Sequence, residues 1–466
     1  MADLGEKCAV FGVFGKDLDV ARLTFFGLYA LQHRGQESSG IAVSDGRRLA
    51  SHKAMGLVSQ VFTEEDIKKL TGYISIGHNR YSTTGGSKIE HAQPVIIECG
   101  NDTIALAHNG NLPTTFALEE FLRGKGIDPA DFSDSRMIAE ATATLVKSGA
   151  SVEAAVKEVY PLMTGAFSIV ILSREKLIAI RDRCGVRPLS MAKLDGGWVF
   201  ASETCALSPL GASIVREVEP GEMVVVDSRG MRGMCLLDPD PKFDVFEFVY
   251  FARPDSTLLG KSVYQVRERF GEELAQEYKI DLDVVIPVPE TGIPAAIGYA
   301  RSLGIPFEMG LAKNRYIHRT FIQPEQHMRD QGVKAKLTPI PEIIRGKRVA
   351  VVDDSIVRGT TSRQIVAMLF EAGATEVHFM VSSPPVLYPD FYGIDTPGQK
   401  DLIAATKSIQ EIREFLGATS LNYLSYGGMI RATEIPEDRL CTSCFTGVYP
   451  IDIGERAREF KLLPAR

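Results

Sequence analysis

Residues 349–363, Val-Ala-Val-Val-Asp-Asp-Ser-Ile-Val-Arg-Gly-Thr-Thr-Ser-Arg, constrain this chain more than any other stretch. The four apolar residues 349–352 fit a strand buried on both faces of a parallel sheet. Asp353 and Asp354 then fall at its carboxyl end, where open α/β sheets bind their ligands. Residues 355–361 bring hydroxyls and backbone amides to the start of a helix that residues 364–370 continue, a cradle suited to an anionic sugar phosphate. The competing reading is that Asp-Asp-Ser merely caps the next helix.

The surrounding pattern extends the architecture. Val263, Val266, Phe270 and Leu274 recur at helical spacing within residues 261–278. Residues 283–288 read as a strand, and Pro289-Glu290-Thr291-Gly292 as a turn into a helix carrying Ala295, Ala296 and Ala300. Residues 349–353 form the next strand, 364–371 its helix, and 376–382 another strand. Alternation of this kind predicts a doubly wound parallel sheet.

A chain of 466 residues is long for one core and comfortable for two. Its 45% hydrophobic and 24% charged content is that of an ordinary globular protein. The net charge of -7 argues against a general nucleic-acid binder and makes any anion site local. One such place lies between residues 312 and 336, where Lys313, Arg315, Arg319, Arg329, Lys334 and Lys336 face only Glu325 and Asp330. It reads as a lid beside the phosphate motif or as a solvated loop.

The amino terminus lacks the succession of a signal peptide and no apolar run has the length of a membrane span, so a cytoplasmic location is expected. Seven cysteines, odd in number and widely spaced, read as reduced thiols, catalytic groups or metal ligands.

The first half carries different chemistry. Cys8 opens the strand-like run Cys8-Ala9-Val10-Phe11-Gly12-Val13-Phe14, and a lone cysteine there is usually a small core residue. Downstream come Gln32-His33-Arg34-Gly35-Gln36-Glu37-Ser38, His78-Asn79-Arg80-Tyr81, His108-Asn109-Gly110-Asn111 and Ser133-Asp134-Ser135. This order resembles the glutaminase domain of amidotransferases that use an amino-terminal cysteine. The string at 349–363 likewise resembles the ribose-phosphate signature of type I phosphoribosyltransferases, in the form found in the glutamine-dependent amidophosphoribosyltransferase family. The matching motifs run from Cys8 to Cys444, nearly the whole chain.

The resemblance implies an N-terminal-nucleophile αββα sandwich followed by a type I phosphoribosyltransferase sheet. It implies residues 1–7 as a removed propeptide, 8–235 as the glutaminase and 236–466 as the transferase, joined near Asp238-Pro239-Asp240-Pro241, a turn-rich linker. Cys8 would be the nucleophile, with its own freed amine as base, close to neutral in ordinary pKa. Asn109 and the Gly110 amide would form the oxyanion hole. Arg80 would hold the glutamine carboxylate and Asp134 its ammonium. His33, His78 and His108 then take structural roles.

In the transferase half the resemblance assigns the phosphoribosyl pyrophosphate to Arg315, Lys334, Lys336, Ser355, Arg358, Gly359, Thr360, Thr361 and Ser362. It assigns Mg²⁺ to Thr291, Asp353 and Asp354, oxygen donors that suit this ion. The expected reaction, the first committed step of purine synthesis, passes ammonia from glutamine to phosphoribosyl pyrophosphate. Purine nucleotides are expected as inhibitors, and a homo-oligomer by analogy. Alternatives are a glutaminase with another acceptor, or a catalytically decayed sensor of the sugar diphosphate.

One branch of the family carries an iron-sulfur cluster on four cysteines. Here Cys441 and Cys444 keep a late Cys-x-x-Cys, while the other two places hold Asp244 and Asp390. Carboxylates replace thiolates poorly at such clusters. The expectation is zinc on these four residues, or no metal and a hydrogen-bonded contact in its place.

Overall fold

The computed structural model describes residues 8–81, 88–100, 102–314, 336–393 and 398–454. The first half is two antiparallel sheets laid face to face. One runs in the order Ser213–Glu217, Ser190–Leu194, Gly197–Ala201, Ala9–Phe14, Ile74–Arg80, Ser38–Ser44, Leu49–Met55. The other runs Gly230–Cys235, Glu222–Asp227, Leu177–Arg181, Thr164–Leu172, Asp102–Thr114, Val95–Cys99.

Successive side chains of a strand point to opposite faces, and here both faces are buried. Val10 and Phe14 turn inward, to meet Ala105, Ala107, Val170 and Leu177 of the second sheet. Phe11 and Val13 turn outward under the helix Val20–Ala30. The far side of the second sheet is covered by the helices Asp134–Lys147 and Val152–Val159. The result is the helix-sheet-sheet-helix stack that the family resemblance implied.

The second half is built on four parallel strands in the order Val284–Pro287, Arg348–Asp353, Glu376–Val381, Ser420–Tyr423. Phe307 bridges Val285 in parallel on the other side of the first strand, so the chain winds outward in both directions from it. Val285, Ala350, Val352 and Met380 pack under the helices Val263–Glu277, Ile293–Leu303 and Tyr426–Thr433. Val284, Ile286, Val349 and Val351 pack under Thr360–Glu371 and Ile409–Leu416. Burial on both faces is why residues 349–352 are apolar without alternation.

The helix that residues 364–370 were expected to continue begins at Thr360, directly after Gly359 in the left-handed region. The hydroxyls of Thr360, Thr361 and Ser362 therefore sit in its first turn, a placement that apolar periodicity alone does not reveal. The helix Val263–Glu277 starts where Ser262 accepts a hydrogen bond from the Gln265 amide.

Candidate active sites

Cys8 leads into the strand Ala9–Phe14 and is half-buried, with its sulfur 3.8 Å from the Tyr81 carbonyl oxygen. The Val10 amide donates to Ser202 Oγ at 2.9 Å, and the same hydroxyl accepts from Asn109 Nδ2 at 3.5 Å. One serine thus ties the cysteine strand to the strand of Asn109 and Gly110. Burial pushes the Cys8 thiol up; of the charges that act on it, Arg80 pulls it down and Asp134 and Glu37 raise it.

Arg80 ends the strand Ile74–Arg80, buried, with Nη1 3.4 Å from Glu37 Oε1. Asp134 opens the helix Asp134–Lys147, and its carboxylate accepts from the Ser135 amide at 2.7 Å and the Leu112 amide at 3.2 Å. The five residues singled out in the sequence converge, therefore, on one end of the sandwich. A sulfur with a guanidinium and two carboxylates around it suits an amino acid, whose carboxylate and ammonium need opposite partners.

The histidines are engaged elsewhere. His33 Nε2 lies 2.8 Å from Glu203, His78 Nε2 lies 3.0 Å from the His108 carbonyl, and His108 Nδ1 lies 3.1 Å from Ser135 Oγ. Burial pushes His78 down to about 3, so its ring is neutral.

The second site sits at the carboxyl ends of the parallel strands Val284–Pro287 and Arg348–Asp353. Asp353, Asp354 and Ser355 are buried there. Ser355 Oγ donates to Asp354 at 2.6 Å, and Thr291 Oγ donates to the other oxygen of the same carboxylate. The Asp354 amide donates to Asp353 at 2.9 Å. Burial and the neighbouring Asp354 push the Asp353 carboxyl up to about 7. Two adjacent carboxylates with a hydroxyl drawn in from the next loop form an oxygen-donor set that fits Mg²⁺.

Beside this cluster lie the first-turn amides of Thr360–Glu371, which have no intrahelical acceptor by geometry. Ser362 is buried there, whereas Arg358 and Thr360 are exposed. The strands Leu311–Lys313 and Leu337–Pro339 pair antiparallel, and the Asn314 amide donates to the Lys336 carbonyl at 2.8 Å. This ribbon places Lys336 at its base, and Lys313 Nζ reaches 3.7 Å from Glu290 of the turn Pro289-Glu290-Thr291-Gly292. Arg315 and Lys334 lie outside the described residues. A mainly apolar cavity of about 450 Å³ opens between this ribbon and the turn, lined among others by Tyr264, Pro289, Glu290, Met309 and Lys313.

Family models match both halves: a glutamine amidotransferase domain over residues 78–209 and a phosphoribosyl transferase domain over residues 259–384. The chain is 49% identical over 463 residues to the amidophosphoribosyltransferase of Synechococcus elongatus, covering 98% of this chain and 94% of that one. It belongs to the amidophosphoribosyltransferase family. The enzyme of the same description from Mycobacterium bovis is 48% identical over 458 residues, 96% of this chain and 87% of the relative. A solved glutamine phosphoribosylpyrophosphate amidotransferase from B. subtilis, complexed with ADP and GMP, superposes with a TM-score of 0.89 at 43% identity, covering 96% of this chain and 98% of that one.

In this member of the amidophosphoribosyltransferase family, the place where zinc or a hydrogen-bonded contact was expected is built around an arginine. Arg187, fully buried, holds Asp244 at 2.8 Å and Asp390 at 3.4 Å, and donates to the Tyr392 carbonyl at 2.8 Å. The carboxylates are thus turned to a guanidinium that supplies the positive charge a metal would bring. Cys441 donates to Ser443 Oγ at 3.4 Å, and burial beside Asp244 pushes its thiol up to about 12. Cys444 is buried on the same short segment. Among the described residues no group of three or more His, Cys, Asp or Glu side chains is placed to hold a metal, so Asp244, Asp390, Cys441 and Cys444 do not assemble as the expected ligand set.

Sequence reasoning missed Arg187, Ser202 and Glu203. Glu203 is fully buried, which opposes its charge, yet His33 and Arg34 hold it well below the usual carboxylate range. A charged residue with no motif around it gives no signal in sequence that it is buried. Its partners lie far along the chain.

Proposed function

We propose that this protein catalyses the first step of purine biosynthesis: glutamine, phosphoribosyl pyrophosphate and water become phosphoribosylamine, glutamate and pyrophosphate. The observation that carries this reading is the convergence of Cys8, Arg80, Asp134 and Asn109 at one end of a sandwich whose chain continues into the Thr291–Asp354–Ser355 cluster.

Once residues 1–7 are removed, the Cys8 sulfur attacks the glutamine amide carbon and the freed α-amine takes the thiol proton. The developing oxyanion is held by Asn109 Nδ2 and the Gly110 amide. The carbon–nitrogen bond breaks, ammonia leaves, and water hydrolyses the thioester to glutamate. Arg80 and Asp134 fix the amino acid meanwhile. Ammonia passes internally, because in water at neutral pH it is mostly protonated and loses its lone pair.

In the transferase half, Ser355, Arg358, Gly359, Thr360, Thr361 and Ser362 would hold the ribose phosphate, and the family pattern assigns Arg315, Lys334 and Lys336 to the same phosphoribosyl pyrophosphate. Thr291, Asp353 and Asp354 would hold Mg²⁺, which neutralises the pyrophosphate charge when bound. Ammonia attacks the ribose C1 and the bond to pyrophosphate breaks. Positioning, with water excluded, supplies most of the rate. Inhibition by purine nucleotides is supported by the B. subtilis relative solved with ADP and GMP. Among the described residues no helix is long and apolar enough to cross a membrane, and we place the enzyme in the cytoplasm as a homo-oligomer.

Glutamate and pyrophosphate released in equal amounts by protein confirmed to begin at Cys8 test the reaction. Cys8→Ala should abolish synthesis from glutamine and leave synthesis from added ammonia intact. Glutamate without pyrophosphate would make the acceptor assignment wrong.

A further inference from the structure

The strand Asp102–Thr114 carries Gly110, assigned above to the oxyanion hole, at a φ of 153°. Its backbone is enclosed on the side of the neighbouring strand, where a Cβ would fall 2.0 Å from the Ala166 carbonyl oxygen. It is also met from the transferase half. A Cβ built on Gly393 would lie 3.1, 3.2 and 3.3 Å from the carbonyl carbon, Cα and oxygen of Gly110. The bare backbone of Gly393 therefore rests against the Cα and carbonyl of Gly110, next to its amide.

One residue along, the buried Asn111 side chain donates to the Phe391 carbonyl at 2.7 Å. Residues 391–393 are themselves clamped. Arg187 Nε donates to the Tyr392 carbonyl and the Tyr392 amide donates to Asp390, both at 2.8 Å. Tyr392 Oη further donates to the Ile451 carbonyl at 2.6 Å.

We propose that residues 391–393 of the transferase half are positioning residues for the glutaminase oxyanion hole, acting through Gly393 on Gly110 and through the Phe391 carbonyl on Asn111. The proposal rests on assigning the oxyanion hole to Asn109 and Gly110. An oxyanion donor works only when its hydrogen is aimed at the place where charge develops, within about 2.7–3.1 Å. A displacement of a few tenths of an ångström in the Gly110 backbone weakens that contact, while Arg80, on another strand, still holds the glutamine carboxylate. The seating of residues 391–393 thereby links the integrity of one half to chemistry in the other.

The decisive variant is Asn111→Ala in the full chain processed to begin at Cys8. Glutamate release should fall about tenfold in kcat, a fraction of the loss from deleting an oxyanion donor outright. The glutamine KM should stay within about twofold, as should synthesis from added ammonia; the positioning role predicts that split. The rate of Cys8 alkylation by iodoacetamide, which needs the thiolate but no oxyanion hole, should be unchanged. Gly393→Ala should act in the same direction and further, about 100-fold, because its methyl group presses on the Gly110 backbone and its φ of 112° is strained for any residue but glycine.

A wild-type kcat for Asn111→Ala overturns the proposal. So does a parallel loss of ammonia-dependent synthesis or of Cys8 alkylation, which would reduce the contact to holding the fold. Asn109→Ala separates this failure from failure of the underlying assignment. If Asn109→Ala hydrolyses glutamine normally, the oxyanion hole itself is misplaced.

Discussion

The Arg34 guanidinium grips Glu247 through two hydrogen bonds, Nη2 to Oε1 at 2.9 Å and Nη1 to Oε2 at 3.1 Å, across a separation of 213 residues. The same Glu247 lies 3.6 Å from Arg187, so one carboxylate from the start of the transferase half serves two arginines of the glutaminase half. Arg34 also pairs with Glu203, whose other oxygen accepts from Ser256 Oγ at 2.7 Å and from the Arg253 amide at 2.9 Å. The junction of the halves is thus a buried ionic network in which every charge has a partner.

Glu247→Ala leaves two buried guanidiniums short of an acceptor. Breaking a buried pair in this way costs about 3–5 kcal/mol. Thermal unfolding should show that loss, and synthesis from glutamine and from ammonia should fall together at raised temperature. A variant as stable as the parent would mean that water or Glu203 takes over the acceptor role.

Thr291→Val keeps the shape of the side chain and removes the oxygen that donates to Asp354. If that oxygen belongs to the Mg²⁺ donor set, the Mg²⁺ concentration for half-maximal pyrophosphate release from ammonia should rise about tenfold. Excess Mg²⁺ should restore part of the rate. An unchanged Mg²⁺ dependence would reduce Thr291 to a tether for Asp354.

Asp134→Asn keeps hydrogen-bonding capacity but loses the charge that the proposed function assigns to the glutamine ammonium. A hydrogen bond to a charged group contributes about 1.5–3 kcal/mol, so kcat/KM for glutamine should fall roughly 10- to 150-fold, mostly through KM. Steady-state glutamate release checks this. A fall confined to kcat would move Asp134 from substrate binding to the chemistry.

Much of this molecule is legible in its sequence where local pattern decides structure. The apolar run 349–352 fits a strand buried on both faces, and the two aspartates follow at its ligand-binding end because chain direction fixes that end. Cys8, Arg80, Asn109 and Asp134 are legible through motifs, and the structure brings them together. Asp244 and Asp390 are legible as the residues at two cluster-cysteine places, but their shared partner Arg187, 57 and 203 residues away, is not, because nothing local marks it as buried. The contact of Gly393 with Gly110 is hidden for the same reason: its own φ of 112° already calls for glycine, so nothing in sequence marks the neighbour's backbone beside it.

His78 offers a stability signature that pH can read. It is fully buried, its Nε2 faces the His108 carbonyl at 3.0 Å, and burial lowers it from 6.5 to about 3. Between those two values the unfolded chain binds a proton at this position and the folded chain does not. Stability therefore rises with pH through the window and is lost on acidification below about 6.5, at roughly 1.4 kcal/mol per pH unit for one proton. His78→Gln keeps an amide that can donate to the His108 carbonyl and removes the titration. Its Tm should fall less steeply than that of the parent between pH 6.5 and pH 4.5, by one proton's worth of slope. The buried His108, also lowered by burial, should leave the remaining slope in place. Parallel Tm–pH curves for the two proteins would show that His78 is hydrated, and able to accept its proton, in the folded state.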